Sequence, residues 1–160
     1  MTLAYVGIGS NQENPRRQVE QAFGELGKIP RTRLTRKSSL YRSEPMGYAE
    51  QPEFVNAVAE LDSALSALEM LQQLKRIEMR HGRKRSFPGA PRTLDLDLLL
   101  YGKELLRSKK LTLPHPRMHQ RRFVLDPLVE IAPGITVSGG RKARALLKNC
   151  EKQIVQRIDG

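Results

Sequence analysis

The chain has one cysteine, Cys150, no tryptophan, and only 5% aromatic residues among its 160 positions. A single thiol excludes an internal disulfide and a thiolate zinc cluster. No stretch approaches the roughly 20 consecutive apolar residues that a membrane helix needs. The first ten residues, MTLAYVGIGS, carry no basic residue to begin a signal peptide, so the expectation is a cytoplasmic protein with no membrane partner. Repeats and low-complexity tracts are also missing. With 39% hydrophobic and 28% charged residues, and 12 Gly and 10 Pro spread along the chain, the composition is that of a globular protein. The length suits one domain, residues 1–160, around a core of its own.

Acid is scarce as well. Asp and Glu total 17 against 28 Lys and Arg, a formal net charge of +11, which raises nucleic acid, phosphorylated metabolites or anionic lipid as partners. Residues 141–157 hold six basic residues against Glu151 alone, and a solvated helix that keeps the protein soluble is the simpler reading of that tail. The other basic residues gather in 31–42, 82–92 and 103–122, where connecting segments could converge on a polyanion.

Leu3 to Ile8 reads as a short apolar strand running into Gly7, Gly9 and Ser10, a turn signal. Asn14 is placed to cap a helix with Pro15 at its first position; Val19, Ala22, Phe23 and Leu26 repeat at helical spacing, and Gly27 closes it. Leu34 to Tyr41 and Phe54 to Leu61 read as strands, the second with Phe54, Asn56 and Val58 on one face. Ser66 to His81 carries Leu68, Leu71, Leu74, Ile77 and Glu78 along one helical stripe, with Gly82 as the stop. A strand follows from Thr93 to Tyr101, then helical segments at Val124 to Ile131 and Arg141 to Asn149. The order strand, helix, strand, strand, helix, strand predicts an α+β, ferredoxin-like sandwich: a mostly antiparallel sheet with helices packed on it and a C-terminal extension.

The chemistry lies in Pro91-Arg92-Thr93-Leu94-Asp95-Leu96-Asp97. Alternation in a strand turns Leu94, Leu96, Leu98 and Leu100 to the core and sets Asp95 and Asp97 on the opposite face, roughly 7 Å apart. Two such carboxylates repel unless cations lie between them, and hard oxygen donors at this spacing suit Mg²⁺. For an isolated Asp-x-Asp, an acidic face turned to water is the commoner explanation. Arg92, three residues before Asp95, shifts the balance: a guanidinium beside metal-binding carboxylates is a phosphoryl-transfer constellation. Gly7-Ile8-Gly9-Ser10-Asn11 lacks the Lys of a P-loop and is read as a structural turn.

These residues, with Ala4-Tyr5-Val6-Gly7, Ser38-Ser39-Leu40-Tyr41-Arg42, Gln51-Pro52-Glu53-Phe54-Val55-Asn56, Arg76-Ile77-Glu78, Gly82-Arg83, Leu113-Pro114-His115 and Pro127-Leu128-Val129-Glu130-Ile131-Ala132-Pro133, resemble the 6-hydroxymethyl-7,8-dihydropterin pyrophosphokinases of folate biosynthesis along nearly the whole chain. The resemblance implies transfer of the pyrophosphoryl group of ATP to the hydroxymethyl group of the reduced pterin, releasing AMP, with two Mg²⁺ ions and no stable nucleic-acid partner. A monomer is expected. By the same resemblance Asp95 and Asp97 hold both ions, and Arg83 and Arg92 are the catalytic arginines, Arg83 arriving as its segment closes. Nucleotide contacts fall to Lys75, Arg83, Arg92, Leu98, Lys110, Thr112, His115 and Arg121. The pterin would lie between Phe54 and Phe123, its edge read by Asn56, with Ser43, Glu44 and Met46 contributing from the preceding segment.

The sequence departs from the family pattern in places. Phe87-Pro88-Gly89-Ala90 stands where a Trp often closes over the pterin, which makes Phe87 the substitute; Glu44 replaces a common Pro, and Pro116 a common aromatic. A zinc pair of His115 and His119 would lack further ligands. Two competing functions remain at this point. A basic nucleic-acid module would use the charge but lacks an RNP signature and meets two acids on its sheet face. A metal-dependent nuclease would share the carboxylates but leave Phe54, Asn56 and Phe123 unexplained.

Overall fold

The computed structural model describes residues 1–44, 52–82 and 93–158. The elements in chain order are β1 (Thr2–Ser10), α1 (Pro15–Leu26), β2 (Thr32–Lys37), β3 (Tyr41–Ser43), β4 (Phe54–Ser63), α2 (Ala67–Arg80), β5 (Asp95–Tyr101), β6 (Leu106–Arg107), β7 (Thr112–Leu113), α3 (Arg122–Ile131), α4 (Ala143–Leu146) and β8 (Val155–Arg157). The main sheet runs β5-β1-β4-β3-β8, with β2 also paired to β4, and all its pairings are antiparallel. β6 and β7 form a separate hairpin.

Helices cover both faces of this sheet. On one side α1 and α2 bury Val19, Ala22, Phe23, Leu26, Met70, Leu74 and Ile77 against Val6, Ile8, Ala57, Leu61, Leu94, Leu96 and Leu98. On the other, α3 and α4 bury Val124, Leu125, Leu128, Ile131 and Leu146 against Tyr5, Val58, Leu99 and Leu100. The strand alternation expected for Leu94, Leu96 and Leu98 holds, but Leu100 has changed sides. The cause is a bulge: Tyr5 pairs with Leu100 and Val6 with Leu98, so Leu99 is the extra residue, and beyond it the side chains of β5 swap faces. One strand thereby serves both cores.

Other local expectations are adjusted in the same way. The strand anticipated over Leu34 to Tyr41 is broken at 38–40, because Ser38 turns its own backbone and side chain onto Val58 of β4: its N–H donates to the Val58 carbonyl and its Oγ accepts from the Val58 N–H, both at 2.9 Å. Asn14 does precede α1, but in the left-handed conformation (φ 62°) that asparagine tolerates, and its side chain makes no cap bond. The buried stripe of α2 is Ala67, Met70, Leu74, Ile77 and Glu78, which leaves Leu68 46% exposed. α2 begins in a capping box: Ser66 Oγ accepts from Glu69 N–H at 3.1 Å while the Glu69 carboxylate accepts from Ser66 N–H at 2.8 Å. The helix anticipated over Arg141 to Asn149 is the short α4 followed by a 3₁₀ turn at Leu147–Cys150.

Candidate functional site

Gly7 and Gly9 lie inside β1 rather than in a turn after it, which corrects the sequence expectation. Across the sheet Gly9 is opposite Asn56 on β4 and Asp95 on β5; Gly7 is opposite Val58 and Asp97. Residues directly opposite one another share a face, so Asn56, Gly9 and Asp95 form one row, with strand spacings of about 4.8 Å putting the amide and carboxylate positions roughly 10 Å apart. The absence of a side chain at Gly9 makes a floor between Asn56 and Asp95, whereas Gly7 is covered by the buried Leu99 side chain. At Gly9 a Cβ would sit 3.2 Å from Asn56 Nδ2, so Asn56 would have to give by a few tenths of an ångström, and 3.9 Å from Phe54 Cδ1, an ordinary contact.

On the β5 side of the floor Asp95 and Asp97 are half-buried on the common face. Between them, the Leu96 N–H points out of the sheet edge and donates to the buried Glu78 carboxylate of α2 at 2.7 Å. This bond pins the segment carrying both acids to the helix beneath. Asp97 Oδ2 is 3.9 Å from Arg121 Nη1, and the Arg121 guanidinium carbon lies 5.6 Å from the Phe123 ring centroid. Arg121 is the residue before α3, and Phe123 sits in the first turn, so a single helix start brings a cation and an aromatic ring to the carboxylates.

His115 is tied to the outer edge of β5: its N–H donates to the Leu99 carbonyl at 2.9 Å. Its Nδ1 accepts from Arg117 N–H at 3.2 Å, which leaves the proton of the neutral ring on Nε2. Burial, followed by the Arg121 guanidinium, pushes its pKa down to about 4, against a weaker opposing pull from Asp95. A neutral donor beside two cations results.

On the β4 side, Asn56 is buried and accepts a short hydrogen bond from Ser43 Oγ on β3. Phe54 is opposite Ser43 and half-buried. Glu44 follows β3 and is exposed. Thr112 is half-buried in β7, and Lys110 is exposed in the turn before it. Lys75 is exposed on α2, one turn before Glu78 and therefore on the stripe that meets the β5 edge. The Leu98 side chain is buried in the core under α1 and α2, so any nucleotide contact there falls to its backbone. Arg83, Arg92, Met46 and Phe87 lie outside the described residues.

The parts played by four residues were not legible in the sequence. Glu78 stood in a matching segment and as an acid on an apolar stripe, which is a usable signal for a buried carboxylate with a backbone partner. Gly7 and Gly9 gave the signal of a turn. Glu130, which binds β3 and the segment before it, stood in a matching segment that carried no sign of its partners.

Among the described residues no three His, Cys, Asp or Glu side chains gather as a metal cluster. Two carboxylates on one face nonetheless fit Mg²⁺, which takes one or two and fills its remaining positions with water and phosphate oxygens.

Residues 5–133 match the family described as 7,8-dihydro-6-hydroxymethylpterin-pyrophosphokinase. The 2-amino-4-hydroxy-6-hydroxymethyldihydropteridine pyrophosphokinase of Pseudomonas aeruginosa is 44% identical over 98% of this chain and 96% of its own length. The Haemophilus influenzae protein of the same name is 42% identical over 92% of each. Among solved structures, a triple mutant of the Plasmodium falciparum HPPK-DHPS protein with pteroate superposes at a TM-score of 0.74 and 13% identity, covering 98% of this chain. The chain spans 46% of that longer protein, and the likeness is one of fold.

Proposed function

Because this chain belongs to the 7,8-dihydro-6-hydroxymethylpterin-pyrophosphokinase family, we propose that the floor between Asp95 and Asn56 is where it carries the family's reaction. That reaction transfers the pyrophosphoryl group of ATP to 6-hydroxymethyl-7,8-dihydropterin in folate biosynthesis. The observation that carries the assignment is the single row Asn56–Gly9–Asp95, with Arg121 joining the Asp97 carboxylate to the Phe123 ring. An aromatic and amide end faces an acidic and cationic end across a glycine floor.

Asp95 and Asp97 would hold two Mg²⁺ ions, which supply neutralisation of phosphate charge. Arg121 and the Nε2–H of His115 then bind phosphate oxygens, and Thr112, Lys110, Lys75 and the Leu98 backbone line the nucleotide side. Arg83 and Arg92 complete the cationic set, Arg92 from the residues just before β5. Phe54 and Phe123 enclose the pterin ring, while Asn56, its Oδ1 already engaged by Ser43, turns its NH₂ group toward the ring edge. Ser43 and Glu44 border the same end, and Met46 is assigned to pterin binding by the family resemblance alone. The hydroxymethyl oxygen attacks the β-phosphorus as the bond to the α-phosphate oxygen breaks, and AMP leaves.

The ferredoxin-like description is supported by the order β5-β1-β4 with β2 and β3 both beyond β4, in which β1 and β4, the strands that open the two strand-helix-strand halves, are central. Residues 1–160 are read as one domain because both cores share one sheet, with the segments Val124 to Ile131 and Arg141 to Asn149 in its C-terminal extension. No described helix is long and apolar enough to cross a membrane. We place the enzyme in the cytoplasm, where ATP is supplied, as a monomer. The test is AMP release from ATP and Mg²⁺ with and without the pterin, with Asp97→Ala as control. Pterin-dependent AMP that vanishes in the control is the expected result; AMP release indifferent to Asp97 would overturn the assignment.

A further inference from the structure

At the far end of α3 from Phe123 sits Glu130, whose carboxylate collects three hydrogen-bond donors and an ion-pair partner. It accepts from Ser39 N–H at 3.1 and 3.0 Å, from Ser39 Oγ at 3.0 Å and from the Tyr41 hydroxyl at 2.6 Å, and Arg157 Nη2 of β8 lies 3.9 Å away. Glu130 thus joins α3 to the 38–40 break, to β3 and to β8. The bond keeps the Tyr41 phenol protonated: burial, then the carboxylate itself, push its pKa up.

Phe123 and Glu130 are seven residues apart, two helical turns, so they occupy one face of α3 about 10 Å from each other. Tyr41 is opposite Asn56 in the sheet, and two residues on, Ser43 holds the Asn56 side chain. The same short helix therefore presents Phe123 at one end and grips, at the other, the strand that orients Asn56. A second tether, Arg36 Nη1 to the Ile131 carbonyl at 2.8 Å, holds the helix end to β2. The Glu130–Tyr41 bond couples the helix to the strand carrying Ser43, beside the apolar packing of α3 on Val58 of β4.

We propose that Glu130 is a positioning residue for the pterin: by locking α3 onto β3 it sets the spacing between Phe123 above and Phe54 and Asn56 below. This rests on the assignment of Phe54, Asn56 and Phe123 to the pterin. Glutamine at 130 offers one acceptor oxygen and turns an NH₂ group toward donors, so the lock is lost with little change in volume. The slot is then free to widen, which weakens ring binding and leaves the nucleotide end in place.

The test measures KM for each substrate, kcat and urea stability in Glu130→Gln, Tyr41→Phe and Asn56→Ala. Glu130→Gln is expected to raise the pterin KM about fivefold or more while the ATP KM stays within about twofold. Tyr41→Phe, which removes one of the three hydrogen-bond donors, shifts the pterin KM in the same direction by less, and it decides the matter if Glu130→Gln does not fold. A loss of stability with both KM values unchanged would overturn the inference and leave Glu130 a structural residue, as would equal rises for both substrates. If Asn56→Ala weakens pterin binding and neither other variant does, the inference alone fails. If Asn56→Ala also leaves the pterin KM unchanged, the pterin assignment fails and the inference with it.

Discussion

Replacing Gly9 by alanine tests the floor directly, with Gly7→Ala as its partner experiment. The new methyl at position 9 meets Asn56 Nδ2 at 3.2 Å, some tenths of an ångström inside an ordinary contact. Asn56 has little room to retreat, since it is buried and bonded to Ser43. Overpacking of this kind costs about 1–3 kcal/mol, and alanine's advantage over glycine within a strand returns about 0.5–1 kcal/mol. The net expectation is a loss of about 0–2.5 kcal/mol in urea unfolding. If the displaced amide forfeits one neutral hydrogen bond to the pterin, worth about 1 kcal/mol, the pterin KM rises about fivefold. At Gly7 the added methyl meets only the Leu99 side chain, at 3.5–3.7 Å, an ordinary contact. Gly7→Ala is therefore expected to gain about 0.5–1 kcal/mol in the same unfolding experiment. Equal stability in the two variants, with an unchanged pterin KM for Gly9→Ala, would refute the claim that Asn56 must give way to a side chain at position 9.

Three further expectations concern the acidic end. Asp95→Ala and Asp97→Ala each remove nearly all pterin-dependent AMP release, and wild-type turnover in either would end the metal-site assignment. Because the folded pKa of His115 is depressed to about 4 from an ordinary 6.5, the unfolded chain binds the extra proton first as pH falls. Its contribution to stability is therefore complete above about pH 6.5 and disappears toward pH 4; solvent screening limits it to about 1 kcal/mol. The melting temperature of the native protein should fall relative to that of His115→Gln as pH drops through this window, and parallel curves would refute the environment described for the ring. Glu78→Ala removes a charge-assisted bond to Leu96 N–H and costs about 1.5–3 kcal/mol by urea unfolding, a value near zero being incompatible with that bond.

Much of this arrangement was legible in the chain. The alternation in Leu94-Asp95-Leu96-Asp97-Leu98 was enough to put both acids on one face, since strand periodicity is local. Leu100 was misplaced because a bulge is a relation between two strands, and nothing in β5 alone announces that Leu99 is surplus. Gly7 and Gly9 misled for a related reason. Their backbone freedom is what a turn needs, whereas in β1 Gly9 makes room for Asn56 and Gly7 lies against Leu99, neighbours known only once β4 and β5 lie alongside. Ser38 broke an otherwise strand-like run by bonding to β4, again a tertiary contact overriding a local preference. The family resemblance supplied Phe54, Phe123 and Arg121, and the fold supplied the contacts that relate them.

β5 lies at the border of the sheet, and such a border offers its unpaired backbone groups to any strand that drifts past. Here two of those groups are already taken: the Leu96 N–H by the Glu78 carboxylate and the Leu99 carbonyl by the His115 N–H. The strand that bears the acids is thereby denied to other chains as a template for self-association. Loss of the Glu78 carboxylate thus carries a second liability besides lower stability, namely clumping of correctly folded molecules through their exposed borders, visible as turbidity well below the unfolding transition.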